Sequence, residues 1–450
     1  MKQTARAVVA VILVILSVIC LSGCSMFDFF AVESLHKPPK LTGEKAELQL
    51  AFEQTVGGDI SLFTPLVGEN RGAYIIFDAN SDGQDEAIVF YSFNDNLSVV
   101  HMHLLSIIDG EWMSVGDFIG SGTDIYKVDF YNIDNSKNFE ISVIWTLDDS
   151  KREKTLSVYR ISSLEPGAED ALSSLATIQI ADYVYCDVDG DNANELLYFY
   201  YAGSADSGAV NARLIDYDGL ENSFVPLSEV SLPFEFLSIV QLSYDNEGND
   251  IRFYLDCKQS TDTYFSEIII YSRDNDALFI PMYEDKYIST LSKRTNDIQC
   301  YDFDNDGYLD IPVSVDYSES YALTDSEGTV SPLIFVDWVS FLDGNFESLG
   351  RFFINNYDGY ALRIDTIYEQ FYIVYDYVNK LTQVRLKNSD DENNIIFSVS
   401  VAEANDDIVS IIPDGFLGEK ENNEYSIVIS AKGEMFSFTE GYIKSLIVDM

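Results

Sequence analysis

Asp302, Asp304, Asp306 and Asp310 fall at the first, third, fifth and ninth positions of Asp302-Phe303-Asp304-Asn305-Asp306-Gly307-Tyr308-Leu309-Asp310, with a glycine at the sixth. Oxygen ligands at alternating positions, turned by a glycine, suit a hard cation such as Ca²⁺. The twelfth position is Val313, not the bidentate Glu of an EF-hand, and the flanking apolar runs 298–301 and 311–315 are too short for helices. The stretch therefore reads as a metal loop in a β-hairpin.

Two further loops keep the full ligand set: Asp78, Asn80, Asp82 and Glu86, then Asp187, Asp189, Asp191 and Glu195. The backbone carbonyls of Gln84, Ala193 and Tyr308 occupy the seventh position. The sixth is Gly83, Asn192 or Gly307, and asparagine tolerates positive φ better than most residues. A fourth copy, Asn132, Asp134, Ser136 and Glu140, has lost two carboxylates and carries Lys137 at the sixth position. It is expected to hold no ion tightly.

The last acid of each loop marks a repeat. Glu86, Glu140, Glu195, Asp250, Asp310, Glu369 and Glu424 are separated by 54, 55, 55, 60, 59 and 55 residues, and an apolar run follows each. Such a period, with four short strands per unit, predicts an all-β chain built as a seven-bladed β-propeller. The short loop before Glu369 makes the sixth unit the weakest, so six or eight blades stay open. The segment near 60–67 is expected to help by pairing with a terminal blade. Residues 45–450 read as one propeller domain, with a short helix over 46–56 presenting Leu48 and Phe52 on one face.

The loops resemble the FG-GAP and VCBS repeats of integrin-α-like propellers, in which a DxDxDGxxD loop binds Ca²⁺ between the first two strands of a blade. The period covers most of residues 60–450; the full motif appears in three loops. The resemblance implies structural Ca²⁺ that pins blade hairpins and neutralises clustered carboxylates.

The N-terminus has Lys2 and Arg6, an apolar run over 7–21, then Leu21-Ser22-Gly23-Cys24. This is a secretory signal, and its end resembles the lipobox of bacterial lipoproteins. The resemblance implies removal of residues 1–23, lipidation of Cys24, a tether over 24–44 and attachment to the extracytoplasmic face of the cell membrane. Residues 1–23 hold two of the 27 Lys+Arg and none of the 75 Asp+Glu, so the remainder carries a net charge of −50. That charge opposes nucleic acids and anionic headgroups. With 47% hydrophobic residues, 29 Tyr and 29 Phe, the chain is nonetheless expected to fold.

Cys186, Cys257 and Cys300 sit in apolar strand contexts without CxxC spacing, and read as buried free thiols or as one disulfide plus a thiol. His101 and His103 lie two apart on one strand, a weak metal pair or ordinary strand residues. No G-x-S-x-G, P-loop or HExxH motif is present. The expectation is a non-enzymatic, monomeric binding or scaffolding module whose ligand is a protein or a polysaccharide. Tyr-rich stretches at 315–321 and 357–360 would supply stacking surfaces, or pack between blades. The rival expectations are an envelope-assembly factor docking on a membrane machine and a glycan-active enzyme.

Overall fold

A computed structural model of the chain describes residues 44–147, 154–168, 170–203, 209–317, 320–323, 333–367, 369–388, 394–401 and 425–449. The signal at 1–23, Cys24, nearly all of the tether and Glu424 lie outside the described residues. Among the described residues no helix is long and apolar enough to cross a membrane.

Helix α1 (Glu44–Val56) precedes the first sheet. That sheet contains β1 (Ile60–Phe63), β2 (Tyr74–Phe77), β3 (Glu86–Phe93), β4 (His101–Ile108) and β5 (Glu111–Ile119), all antiparallel. The turn between β4 and β5 is made by Asp109 and Gly110, both at positive φ, the conformation a two-residue hairpin requires. β1 and β2 lie end to end along one edge of β3. The segment at 60–63 thus extends the first sheet itself.

The second sheet is β6 (Asp124–Tyr131), β7 (Glu140–Thr146), β8 (Lys154–Ile161) and β9 (Leu172–Ile180). The third is β10 (Asp182–Cys186), β11 (Glu195–Tyr201), β12 (Val210–Asp218) and β13 (Ser223–Ser231). The fourth is β14 (Ser238–Glu247), β15 (Asp250–Ser260), β16 (Thr263–Ser272) and β17 (Ala277–Phe279). In each the strands follow chain order, so every unit is an antiparallel meander.

A small ribbon of β18 (Met282–Tyr283) and β19 (Lys286–Tyr287) leads into α2 (Ile288–Leu291). Beyond it come β20 (Ile311–Ser314), β21 (Tyr321–Leu323), β22 (Ile334–Leu342), β23 (Asn345–Asn355) and β24 (Tyr360–Arg363). Then follow β25 (Phe371–Asp376), β26 (Leu381–Leu386), β27 (Ile395–Val401) and β28 (Tyr425–Ile429). The chain closes with α3 (Ala431–Met435), α4 (Glu440–Lys444) and β29 (Ile447–Asp449). The fifth sheet runs β20-β22-β23-β24-β29, and the sixth β21-β25-β26-β27-β28.

The sequence leaves six, seven or eight units open, and the count of sheets among the described residues bears on that choice. The described residues form six sheets of four or five strands, and no seventh. β28, which follows the seventh marker, joins the sixth sheet beside β27, and the residues after it turn helical. β24, the expected first strand of the sixth unit, pairs instead with β23. The cause is local. Asn355 Oδ1 accepts the backbone N–H groups of Tyr357 and Asp358, and Gly359 adopts φ 72°, so the chain folds straight back on β23. The vacated edge of β25 is taken by β21, which runs parallel to it.

The sheets stack face to face in sequence. One apolar cluster joins the first and second sheets through Ile88, Phe90, Val143 and Trp145. Others join second to third, third to fourth, fourth to fifth and fifth to sixth. Each sheet thus buries what a lone sheet would expose, which accounts for the aromatic and β-branched alternation. Phe77 stacks on Phe130 at 3.9 Å and Tyr131 on Tyr185 at 4.0 Å, each pair bridging neighbouring sheets. The outer face of the first sheet is covered by α1, whose Leu48 and Phe52 pack on Val89, Tyr91 and Leu105, the face expected from their spacing. Cys186, Cys257 and Cys300 are buried and free.

Candidate functional site

The acidic loops join the first two strands of a unit, and their turn is built from repeated hydrogen bonds. In the Asp302 loop, Oδ1 of the first Asp accepts the N–H of Asp306 at 3.0 Å and Oδ2 accepts that of Gly307 at 3.0 Å. Asp304 accepts from Asp306, and Asp306 from Tyr308. The Asp78 loop repeats the pattern through Asp82, Gly83 and Gln84; the Asp187 loop repeats it through Asn192 and Ala193, while its first Asp accepts from Gly190, one position earlier than in the other loops. Gly83, Asn192 and Gly307 have φ of 86°, 70° and 92°, as the sixth position requires. The fourth position is also left-handed, at Ser81, Asn135, Gly190 and Asn305. The recurrence of Ser, Asn and Gly there was the signal for it.

The ninth-position acid is the buried pivot. Glu86, Glu140, Glu195 and Asp310 are at most 1% exposed. Each accepts the backbone N–H of the second residue of its own loop: Ala79, Ile133, Val188 and Phe303. What differs is the other carboxylate oxygen and the residue opposite it on the third strand. Ser106, paired with Glu86, donates its hydroxyl to Oε1 at 3.0 Å. Arg160 donates to Glu140 Oε1 and Asp134 Oδ2 at 2.7 and 2.8 Å. A guanidinium therefore balances the acids of the fourth copy, which supplies its own cation. Glu195 has neither kind of partner, and its Oε1 is buried without any hydrogen bond. In register, Asp310 faces Ser340, whose buried hydroxyl is likewise unpartnered.

The acids gather where the inner cation is missing. Ligand oxygens of Asp187, Asp189 and Glu195 lie within 4.8 Å of one another, as do those of Asp302, Asp304 and Asp306. Asp191 and Asp310 stand beside these groups but outside them. Burial, with the carboxylates alongside, pushes Glu195 up to about 8 and Asp310 up to about 7. A divalent cation would reverse that by favouring the ionised form. In both loops the donor set is all oxygen and anionic and the turn is preformed, and the Asp187 loop adds the orphaned Glu195 Oε1, so both fit Ca²⁺. The first loop fits less well. Its carboxylates form no such group, the Asn80 amide donates to Asp82 at 3.1 Å, and both oxygens of Glu86 are engaged.

Neighbouring loops touch. Phe139 N–H donates to the Ala79 carbonyl at 2.8 Å and Asn194 N–H to the Asn132 carbonyl at 2.9 Å. Ser81 bonds the Lys137 carbonyl and Asn135 the Asp191 carbonyl. The first three loops therefore form one continuous edge.

The fourth unit has replaced its loop by a tight hairpin and uses arginine again. Arg252 is fully buried, with Asp245 at 2.7 Å and Glu247 at 3.0 Å. Asp245 also accepts the Leu309 N–H at 2.8 Å, tying this hairpin to the Asp302 loop. Arg160 and Arg252 were missed from sequence, because each meets its acids only through strand pairing.

His101 and His103 do share a face, but neither ring's Nδ1 is available to a metal. Both meet Asp117, at 2.7 and 3.2 Å, and Tyr91 donates to the same carboxylate at 2.9 Å. Ser114 Oγ lies 3.0 Å from His103 Nε2. Burial alone would raise the Asp117 pKa; the hydrogen bonds from His103, His101 and Tyr91 outweigh it and hold the carboxyl below its usual range. The group ties β3, β4 and β5 together beneath α1.

No protein-family model matches the chain, and no curated protein matches it. Among solved structures, a hypothetical selenium-binding protein from Sulfolobus tokodaii superposes with TM-score 0.31 at 8% identity, over 50% of this chain and 57% of that one. Saccharomyces cerevisiae Sqt1 superposes with TM-score 0.29 at 10% identity, over 72% and 80%. A GH43 β-1,3-galactosidase superposes with TM-score 0.27 at 9% identity, over 64% and 96%.

Proposed function

We propose that the chain is a lipid-anchored binding or scaffolding module on the extracytoplasmic face of a bacterial cell membrane, folded as a VCBS-like β-propeller with calcium in its acidic loops. The six stacked sheets are its blades. The carrying observation is the repeat itself: at 54–60-residue intervals sheet packs on sheet, the first three loops bond to one another, and acids cluster in the Asp187 and Asp302 loops, where neither arginine nor serine bonds the buried carboxylate. Calcium here is a staple. It removes repulsion among acids at a blade edge and leaves the opposite edge free to bind a partner. Millimolar extracellular calcium suits loops of this kind. The strongly negative surface favours neutral or cationic partners.

Anchoring is tested by cell fractionation and palmitate labelling. The full chain is expected in the membrane fraction and labelled, and Cys24→Ala is expected to lose the label and leave the mature position uncut. An unlabelled full chain, or a Cys24→Ala variant that incorporates as much label as the wild type, would remove the lipid anchor from the reading.

A further inference from the structure

We propose that the cleft between the fifth and sixth sheets is a binding site for neutral carbohydrate. The proposal deepens the binding-module reading and rests on it.

The cleft measures about 360 Å³, at the lower end of the ~300–1,000 Å³ typical of ligand pockets. It lies where β20 ends and β22 begins. The acidic loop of that unit sits at the start of β20, so the cleft and the calcium loop are at opposite ends of one sheet. The ion-binding edge and the ligand-binding edge are therefore separate.

Three tyrosines form one wall. Tyr357, 59% exposed, stacks on Tyr375 with centroids 6.0 Å apart and planes 19° apart. Tyr377 meets both rings edge-on at 4.7 Å. The wall is fixed from behind: the Tyr375 hydroxyl donates to Asp358 Oδ2 at 2.9 Å, and Asn355 donates to the same oxygen at 2.8 Å. An exposed ring held rigidly costs little entropy on binding.

The polar part of the remaining lining is amide, hydroxyl and carboxylate, and apolar side chains such as Leu333, Phe335 and Phe353 complete it. Asn296 and Asp297 also line the cleft, and Asn356 lines it with a side-chain oxygen that is buried and has no hydrogen-bond partner. Among the described residues no Lys, Arg or His lines the cleft, so these residues offer no cation to a phosphate, sulfate or uronate. A pyranose matches this surface on both counts. Its axial C–H face is apolar and stacks on an aromatic ring, while its equatorial hydroxyls donate to amide oxygens and carboxylates. A tyrosine cage with one acid would also attract a quaternary ammonium group. The several amides favour hydroxyl partners, which a quaternary ammonium lacks.

The test uses the full chain in detergent on a panel of neutral, uronic and phosphorylated oligosaccharides, followed by calorimetric titration of the best neutral binder. Tyr357→Ala and Asp297→Ala are the variants, since both residues are exposed. Binding of a neutral oligosaccharide is expected, weakened about tenfold or more in Tyr357→Ala, the scale of one lost ring contact, with the melting temperature unchanged. Retention of no neutral glycan would overturn the proposal. So would equal affinity in Tyr357→Ala, or selective binding of choline or of a peptide in place of sugar. Membrane anchoring and calcium-dependent melting would survive that outcome, so failure of the sugar site and failure of the module reading are distinguishable.

Discussion

Removing calcium with EDTA is expected to lower the melting temperature by roughly 3–8 °C relative to the protein in millimolar Ca²⁺. At about tenfold excess over Kd, one ion that binds only the folded state contributes about 1.4 kcal/mol. The Asp187 and Asp302 loops are the two that gather three acids, so two such contributions are expected. Without the ion, Glu195 and Asp310 are buried carboxyls held above their usual pKa by desolvation and by their acidic neighbours. The expected gain from calcium is therefore a relief of repulsion as well as a set of new bonds. Asp187→Ala and Asp302→Ala should each abolish about half of the calcium-dependent shift. Asp78→Ala should change it least, because the acids of that loop do not converge. Coincident melting curves in EDTA and in calcium would contradict this account.

Arg160→Ala is expected to destabilise the fold by about 3 kcal/mol in denaturant titration, and Arg252→Ala by about 3–5 kcal/mol. In the first case Glu140, with no exposed surface, loses the guanidinium that balances it. In the second, Asp245 and Glu247 lose a fully buried arginine. The comparison is Arg213→Ala. Arg213 also meets a carboxylate, Glu229 at 2.5 Å, but both side chains are about one-third exposed, and such pairs contribute under about 1 kcal/mol. If Arg160→Ala were no more costly than Arg213→Ala, the guanidinium would not be standing in for an ion.

The features legible in the sequence were those set by short-range spacing. Alternate acids with a turn residue at the sixth position specify the loop, and the left-handed backbone at Gly83, Asn192 and Gly307 follows from that spacing. The repeat interval located every second strand as far as the fifth unit. Leu48 and Phe52 marked the buried face of α1 because a helix brings every fourth residue to one side. Features set by pairing between distant segments were not legible. Arg160 meets Glu140 across a strand pair, and nothing near either residue announces the other. The tyrosines at 357, 375 and 377 converge only because the fifth and sixth sheets stack. The departures of β21, β24 and β28 have the same origin. The Asn355 turn won a local contest over the period, and edge positions were filled by whichever strand was left free. In the first loop the asparagine amide donates to Asp82 and both oxygens of Glu86 are already bonded, contacts that spacing alone does not reveal.

Loops whose buried carboxylate meets neither an internal cation nor a hydroxyl are proposed to take an external cation. Equilibrium dialysis of the full chain against ⁴⁵Ca²⁺ tests it most directly, with Asp187→Ala, Asp302→Ala and the double variant run alongside. Two ions per chain are expected, matching the two acid groups found among the described residues, one in each single variant and none in the double. Calcium binding that persists in the double variant, or no saturable binding in the wild type, would contradict it.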